Sequence, residues 1–433
     1  MHRLWPVIPC CILLAAHHLR AGEPGLVGLW LTAPLLLWLR RPWVRLVWPL
    51  LLLAGAAEWG TVLLALARER AAAGEPATRL VAILGGAGLL TAAASLLFRG
   101  TAVRERFRVG EAGAGPGIAA FLLTAGLLVP VQLLVRPPGL LLERFLPAGG
   151  WSEAFWLAIY AAWLAERMQD PRVMQRWRPR LWLLFSGVFF LQLVLGLAGV
   201  ERLLMTGRLH LPVPALIAAG PAYRGEGFFM PILFGASLLL VGPAWCSWLC
   251  YIGAWDDRAA RRRRRPGPMP AWRARVRPVI LVLVVGTALV LGRAGVPPLA
   301  ATWAAAAFGL GGVAVMLLWS RRAGVMAHCT TYCPIGWLAT RLGRLSPFRL
   351  RIDVACSDCA ACGKVCRYDA LSAVDIVRRR PGEACTLCGD CVSTCKSRQI
   401  DYTFLGLRGA PARRAFVILI ASLHAAFLGV GRI

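Results

Sequence analysis

The sequence predicts a mainly α-helical, polytopic membrane protein with a small α+β module on the cytoplasmic side. Three observations carry that expectation. The chain of 433 residues is 58% hydrophobic, with a mean hydropathy of +0.62. Apolar runs long enough to cross a hydrocarbon core of about 30 Å recur throughout the part upstream of residue 345. Eight of the 14 cysteines fall in two strings of identical spacing near the C-terminus.

The apolar runs lie at about 4–20, 24–39, 46–67, 79–98, 117–136, 151–166, 180–200, 228–245, 278–294, 300–319 and 414–431, about 11 spans in all. They divide the chain into a six-span region (1–170), a four-span core (171–345), the cysteine module (346–410) and a C-terminal transmembrane helix (411–433). The first run has His2 and Arg3 ahead of it and resembles a signal peptide, but it lacks a clear cleavage site and reads as an uncleaved helix. Trp43, Trp151, Trp177 and Trp272 near span ends read as an interfacial aromatic belt.

The formal net charge is +28, and its placement argues for a bilayer rather than nucleic acid as the partner. Arginines concentrate in alternate loops: Arg40, Arg41 and Arg45; Arg99, Arg104, Arg106 and Arg108; 167–180; 258–277; Arg321 and Arg322. Under the positive-inside rule these loops are cytoplasmic, which sets the protein in the cell inner membrane with its N-terminus inside and its C-terminus outside. The run Arg261–Arg265 then reads as a topology determinant near anionic headgroups.

Cys356, Cys359, Cys362 and Cys366 read C-x2-C-x2-C-x3-C, and Cys385, Cys388, Cys391 and Cys395 repeat that spacing. A 4Fe-4S cube needs four converging thiolates, and two-residue gaps let three sulfurs of one tight loop point the same way. The fourth cysteine of such a string usually serves the other cube. The expected ligand sets are therefore Cys356, Cys359, Cys362 with Cys395, and Cys385, Cys388, Cys391 with Cys366. Arg367 and Lys396 stand where proline usually follows the fourth cysteine. Zinc knuckles favour separated pairs with longer spacers, and disulfides have no reason to repeat this spacing.

Two further pairs sit at membrane boundaries: Trp245-Cys246-Ser247-Trp248-Leu249-Cys250-Tyr251-Ile252-Gly253 and His328-Cys329-Thr330-Thr331-Tyr332-Cys333-Pro334-Ile335-Gly336. Each is C-x3-C, an intervening pair and glycine, so they read as halves of a repeated unit. At i and i+4 on a helix end the two sulfurs share one face. Cys246, Cys250, Cys329 and Cys333 together offer a further iron-sulfur or soft-metal site, or else pack as reduced small hydrophobes.

Spans carrying two C-x3-C motifs followed by a double four-cysteine module resemble the NapH/NosR/CcoG group of membrane polyferredoxins, over roughly 175–405. The resemblance implies a bacterial-ferredoxin-like double 4Fe-4S domain and electron exchange between the quinone pool and a separate redox partner protein, as in a quinol dehydrogenase-type subunit. It equally admits a copper reductase or assembly factor for a respiratory enzyme. A membrane redox sensor is a third reading. Cys333-Pro334 matches the group's motif, while Cys250-Tyr251 lacks the proline.

Weaker candidates remain. His210 with Glu201 or Glu226 could supply a base for quinol oxidation near the headgroup level. Glu58 lies inside an apolar run, where an ionisable group is costly. His17, His18 and His424 read as structural, and Cys10 and Cys11, about 100° apart on a helix, as packing residues. No P-loop, dinucleotide-binding glycine fingerprint or Ser-His-Asp arrangement is evident.

Overall fold

The computed structural model describes residues 4–107, 114–204 and 211–431. The chain divides into two compact units, Met1–Glu166 and Arg167–Ile433. Among the described residues eight helices are long and apolar enough to cross a membrane: Pro42–Ala72, Thr78–Arg99, Gly115–Leu134, Pro171–Leu197, Phe229–Leu249, Arg273–Arg293, Pro298–Ala323 and Ala410–Val430. The other three apolar runs form shorter or more polar elements. Val7–Arg20 has 14 residues, a length of about 21 Å. Pro24–Thr32 continues only as a 3-10 turn to Trp38, and Gly149–Arg167 carries Glu153 and Glu166.

In the first unit, large aromatic residues on several helices bury one another. Trp30, Trp43, Trp48, Phe98 and Phe107 form the core with Leu14 and Leu52, and Cys10 and Cys11 are buried among them. Pro24 and Pro42 start their helices, where a missing N–H costs nothing. The loop before Gly149–Arg167 is tied down by Glu143, which accepts from the Gly150 N–H at 2.8 Å and from Gln132 Nε2 at 2.9 Å. Gly25 meets Gly149 backbone to backbone: a Cβ on Gly25 would lie 2.3 Å from the Gly149 Cα. Neither chain can yield, so Gly25→Ala is expected to destabilise this unit by about 1–3 kcal/mol, read by thermal unfolding in detergent.

The second unit holds the cysteines. Strand β1 (Phe348–Ile352) pairs antiparallel with β2 (Ile400–Phe404), Phe348 opposite Phe404 and Ile352 opposite Ile400, and β2 pairs with β3 (Leu407–Arg408). Pairing β1 with β2 closes the intervening cysteine loops into one module. Alternate residues of β1 are buried, as a half-buried strand requires. Phe416 of the final helix stacks on Tyr402 at 4.5 Å and edges Phe348 at 5.4 Å, so this helix packs against the sheet. The Tyr402 hydroxyl donates to the Leu387 carbonyl at 2.8 Å, tying the sheet to the second cysteine string.

Candidate functional site

The duplicated sequence of the two C-x3-C segments becomes a duplicated backbone. Trp245–Leu249 and His328–Tyr332 are each one turn of π-helix rather than the α-helical ends read from the sequence. The Cys250 N–H donates to the Trp245 carbonyl at 2.9 Å, and the Cys333 N–H to the His328 carbonyl at 2.8 Å. Each turn ends in an extended cysteine, with φ −77° and ψ 113° at Cys250 and φ −73° and ψ 115° at Cys333. The proline after Cys333 and the tyrosine after Cys250 thus serve the same conformation. Single π turns cost hydrogen-bond quality and concentrate at functional sites.

The glycine ending each motif has a steric reason. A Cβ on Gly253 would lie 2.9 Å from the Cys246 carbonyl oxygen, and one on Gly336 would lie 2.8 Å from that of Cys329. The chain therefore folds back tightly, and the N–H groups of Ile252 and Gly253 face the Cys250 sulfur, as those of Ile335 and Gly336 face Cys333. Gly336→Ala is expected to push the Cys329 backbone outward and lower the iron bound per chain at unchanged expression, with metal analysis of anaerobically purified protein as the check.

Cys246, Cys250, Cys329 and Cys333 all line one cavity of about 20 Å³, room for little more than a water molecule. Burial, then Asp256 and the other three sulfurs, raises the Cys329 thiol well above its usual range. Burial, then Cys333, pushes Cys250 up to about 12. A thiol so placed becomes a thiolate when a metal takes the place of its proton. The surroundings hold buried polar atoms without partners: Arg277 Nε, Thr386 Oγ1 and the Tyr368 hydroxyl. Such atoms cost free energy unless a bound group satisfies them, and Arg277 places a positive charge beside Cys246, Cys329 and Cys333. The other oxygen of Asp256 accepts from the Cys329 N–H at 3.0 Å. These residues fit an anionic, sulfur-held group.

The two longer strings repeat each other in equal detail. Asp358 and Leu387, Ala360 and Gly389, and Asp369 and Arg398 occupy equivalent places, and all six have positive φ, between 49° and 82°. Five of them are not glycine, a strain that persists only where the fold over-determines it. Cys366 and Cys395 share nearly the same conformation, φ −75° and ψ 98° against φ −73° and ψ 102°. Each sulfur accepts a backbone N–H at 3.3 Å, from Ala370 and from Gln399. Cys366, Cys385, Cys388 and Cys391 lie within electrostatic reach of one another, and Cys362 lies near Cys356 and Cys359. Among the described residues no three His, Cys, Asp or Glu side chains converge as closely as one metal ion requires; a cube sets its thiolates further apart than a single ion does.

The module is clamped to the membrane-embedded part of the same unit. Arg178 is fully buried and donates to Asp390 at 3.1 Å, to Asp257 at 3.4 Å and to the Ser247 carbonyl at 3.2 Å. Arg261 reaches Asp257 at 2.6 Å and Asp390 at 2.8 Å. Burial alone would raise Asp257, but Arg178 and Arg261 outweigh it and hold the carboxyl below its ordinary range. Arg367 donates to the carbonyls of Ala260, Arg263, Arg264 and Gly324. The residue standing in place of the usual proline is thus a docking side chain, and Arg261 and Arg263 serve the same junction rather than only facing lipid headgroups. Tyr368 is buried between Cys329 and Cys388, and lines the four-cysteine cavity.

The remaining sequence candidates fall elsewhere. His210 lies outside the described residues. Glu201 begins an exposed 3-10 turn and Glu226 is exposed in a loop. Glu58 lies 3.7 Å from His17, and His18 bonds Glu23 at 2.8 Å, so these groups form local pairs in the first unit. His424 is buried, with Nε2 3.3 Å from the Leu181 carbonyl. The sequence reading missed Arg178, Asp256, Arg277, His328 and Tyr368. The available signal was a charge at the head of an apolar run or directly after a C-x3-C motif.

Comparison with known families gives one match. Residues 227–268 match a 4Fe-4S binding domain. This match supports an iron-sulfur protein. The matched stretch holds Cys246 and Cys250, the first half of the four-cysteine cavity, and lies outside the two longer strings. No curated protein and no solved structure matches the chain.

Proposed function

We propose that this protein is an inner-membrane electron-transfer protein that carries electrons between the quinone pool and a separate redox partner through a line of iron-sulfur centres. The observation that carries the proposal is the order of the sulfurs. The four-cysteine cavity is buried at the ends of the membrane helices. The Cys366, Cys385, Cys388 and Cys391 set follows, with Tyr368 between them. Cys359 of the outer string is exposed, where a partner can approach. In this reading Cys356, Cys359, Cys362 and Cys395 hold the outer cube, Cys385, Cys388, Cys391 and Cys366 the inner one, and the two C-x3-C pairs a third centre. Oxidation of a quinol releases two electrons and two protons, and one-electron centres take the electrons singly. The backbone N–H groups aimed at the sulfurs favour the charged thiolates, and Arg277 balances negative charge in a site that excludes water.

Two tests follow. Anaerobically purified protein should contain about eight irons in the longer strings, and a quinol analogue should reduce the clusters in membranes. Zinc without iron after anaerobic reconstitution would exclude the cubes. If Cu(II) changes their oxidation state and quinol never does, the assembly-factor reading replaces this one. The arginine bias puts the module in the cytoplasm and the C-terminus outside, so a reporter fused after Ile433 should work only if it is one that folds in the periplasm.

A further inference from the structure

Helices Arg273–Arg293 and Pro298–Ala323 follow one another in the chain yet scarcely touch. The first packs on Leu216–Arg224, closely enough that a Cβ on Gly292 would lie 2.2 Å from the Tyr223 carbonyl oxygen. Both pack on the π turn His328–Tyr332. Only 11% of either span is buried, against 50% for Phe229–Leu249 and for Ala410–Val430. Between them lies a cavity of about 700 Å³, walled by residues such as Leu283, Val284, Ala301 and Ala305. It runs along the helix from Pro298 to Phe308, a distance of about 15 Å.

The polar side chains of this cavity are few: Thr287 and Thr302 along its walls, and Tyr223, Arg224 and Tyr332 toward its ends. Tyr223 and Arg224 stand at the end near Pro298, and Tyr332 stands at the other beside Phe308. The Tyr332 hydroxyl donates to the Phe308 carbonyl at 2.8 Å, which fixes the ring. The same π turn presents His328 to the four-cysteine cavity, with the two ring centroids 5.5 Å apart. Gly311 and Gly312 make room for this pair: a Cβ on Gly311 would lie 2.8 Å from the Tyr332 hydroxyl oxygen, and one on Gly312 would lie 2.7 Å from His328 Cε1. One turn of chain therefore separates a large apolar cavity from a buried group of four sulfurs.

We propose that this cavity binds a quinone, its ring toward Tyr332 and its isoprenoid tail along the apolar walls. The proposal rests on the quinone reading above and gives that reading a place between Arg273–Arg293 and Pro298–Ala323, with Leu216, Tyr223 and Arg224 completing the wall. The volume is that of an ordinary small-molecule site, apolar with a few fixed polar groups. A phospholipid chain would need neither the Tyr332 phenol nor the neighbouring sulfurs.

The test uses full-length protein, purified anaerobically in detergent, and a photoreactive short-chain benzoquinone. Crosslinks are expected within 213–224, 280–291 and 298–308 or on Tyr332, and excess phosphatidylglycerol should not compete. Ala305→Trp and Leu283→Trp fill the cavity and should each weaken labelling about tenfold or more at unchanged iron content. Crosslinks elsewhere, or full displacement by phosphatidylglycerol, would overturn the assignment. If both variants let the quinol form reduce the clusters at the wild-type rate, the placement fails while the quinone reading stands. If the probe neither labels the wild-type protein nor changes its cluster spectrum, the quinone reading fails and the placement with it.

Discussion

Replacing Cys329 and Cys333 together by serine is expected to abolish quinol-driven electron transfer while leaving the spectra of the Cys356–Cys395 module intact. Serine matches cysteine in shape, so the π turn His328–Tyr332 should keep its backbone hydrogen bond to residue 333. What is lost is half of the sulfur lining a buried cavity, and a hydroxyl is a poor ligand for iron held by thiolates. The longer strings draw their sulfurs from separate loops closed by the β1–β2 pairing, so their iron should stay at about eight per chain. Electron paramagnetic resonance and metal analysis on one sample check both halves of the expectation. Full electron transfer in the double variant would show that the four cysteines pack the interior and do no redox work.

Arg178→Ala should be the most damaging single change away from the cysteines. It leaves Asp257 and Asp390 buried with Arg261 as their ion-pair partner, and that side chain is 32% exposed. Breaking a buried ion network by removing one partner costs about 3–5 kcal/mol, because the remaining charge has neither water nor a full partner. The loss falls on the contact between the membrane helices and the module, so proteolysis within 346–410 should speed up before the helices themselves unfold. The network also sets a pH dependence. Asp257 has a folded pKa below its unfolded one, so its stabilisation is complete above the unfolded carboxylate range and is lost as pH falls through the depressed folded value. Acid should therefore undock the module in the wild type, and Arg178→Ala should abolish much of that acid sensitivity. Equal protease sensitivity of wild type and variant at neutral pH would refute this account of the clamp.

The hydrophobic content and the periodic apolar runs sufficed to read helices able to cross a membrane, because a bilayer imposes length and polarity on each segment separately. The spacing of Cys356–Cys366 and Cys385–Cys395, and the echo between the two C-x3-C motifs, were equally plain in one dimension. Local geometry followed less faithfully. Both C-x3-C motifs looked like α-helical ends and formed π turns, since the close approach of Gly253 and Gly336 to the Cys246 and Cys329 carbonyls is a fold-back that periodicity does not encode. Val7–Arg20 and Pro24–Trp38 read as spans and are too short, because an apolar run can end at a proline-led turn before it reaches the far interface.

The sequence by itself determined the spacing of the cysteines, and that spacing is the short-range chain geometry on which iron-sulfur ligation depends. Only the tertiary structure decided that Cys246 and Cys250 meet Cys329 and Cys333, that Arg178 of one helix finds Asp390 of the distant module, and that Arg367 docks on the carbonyls of Ala260, Arg263, Arg264 and Gly324. It also set apart a large cavity behind Tyr332 that no motif announced. These are contacts between segments some 70 to 210 residues apart. They arise because buried charges and orphaned polar groups must find partners wherever the packing of helices leaves them, and no local spacing records that search.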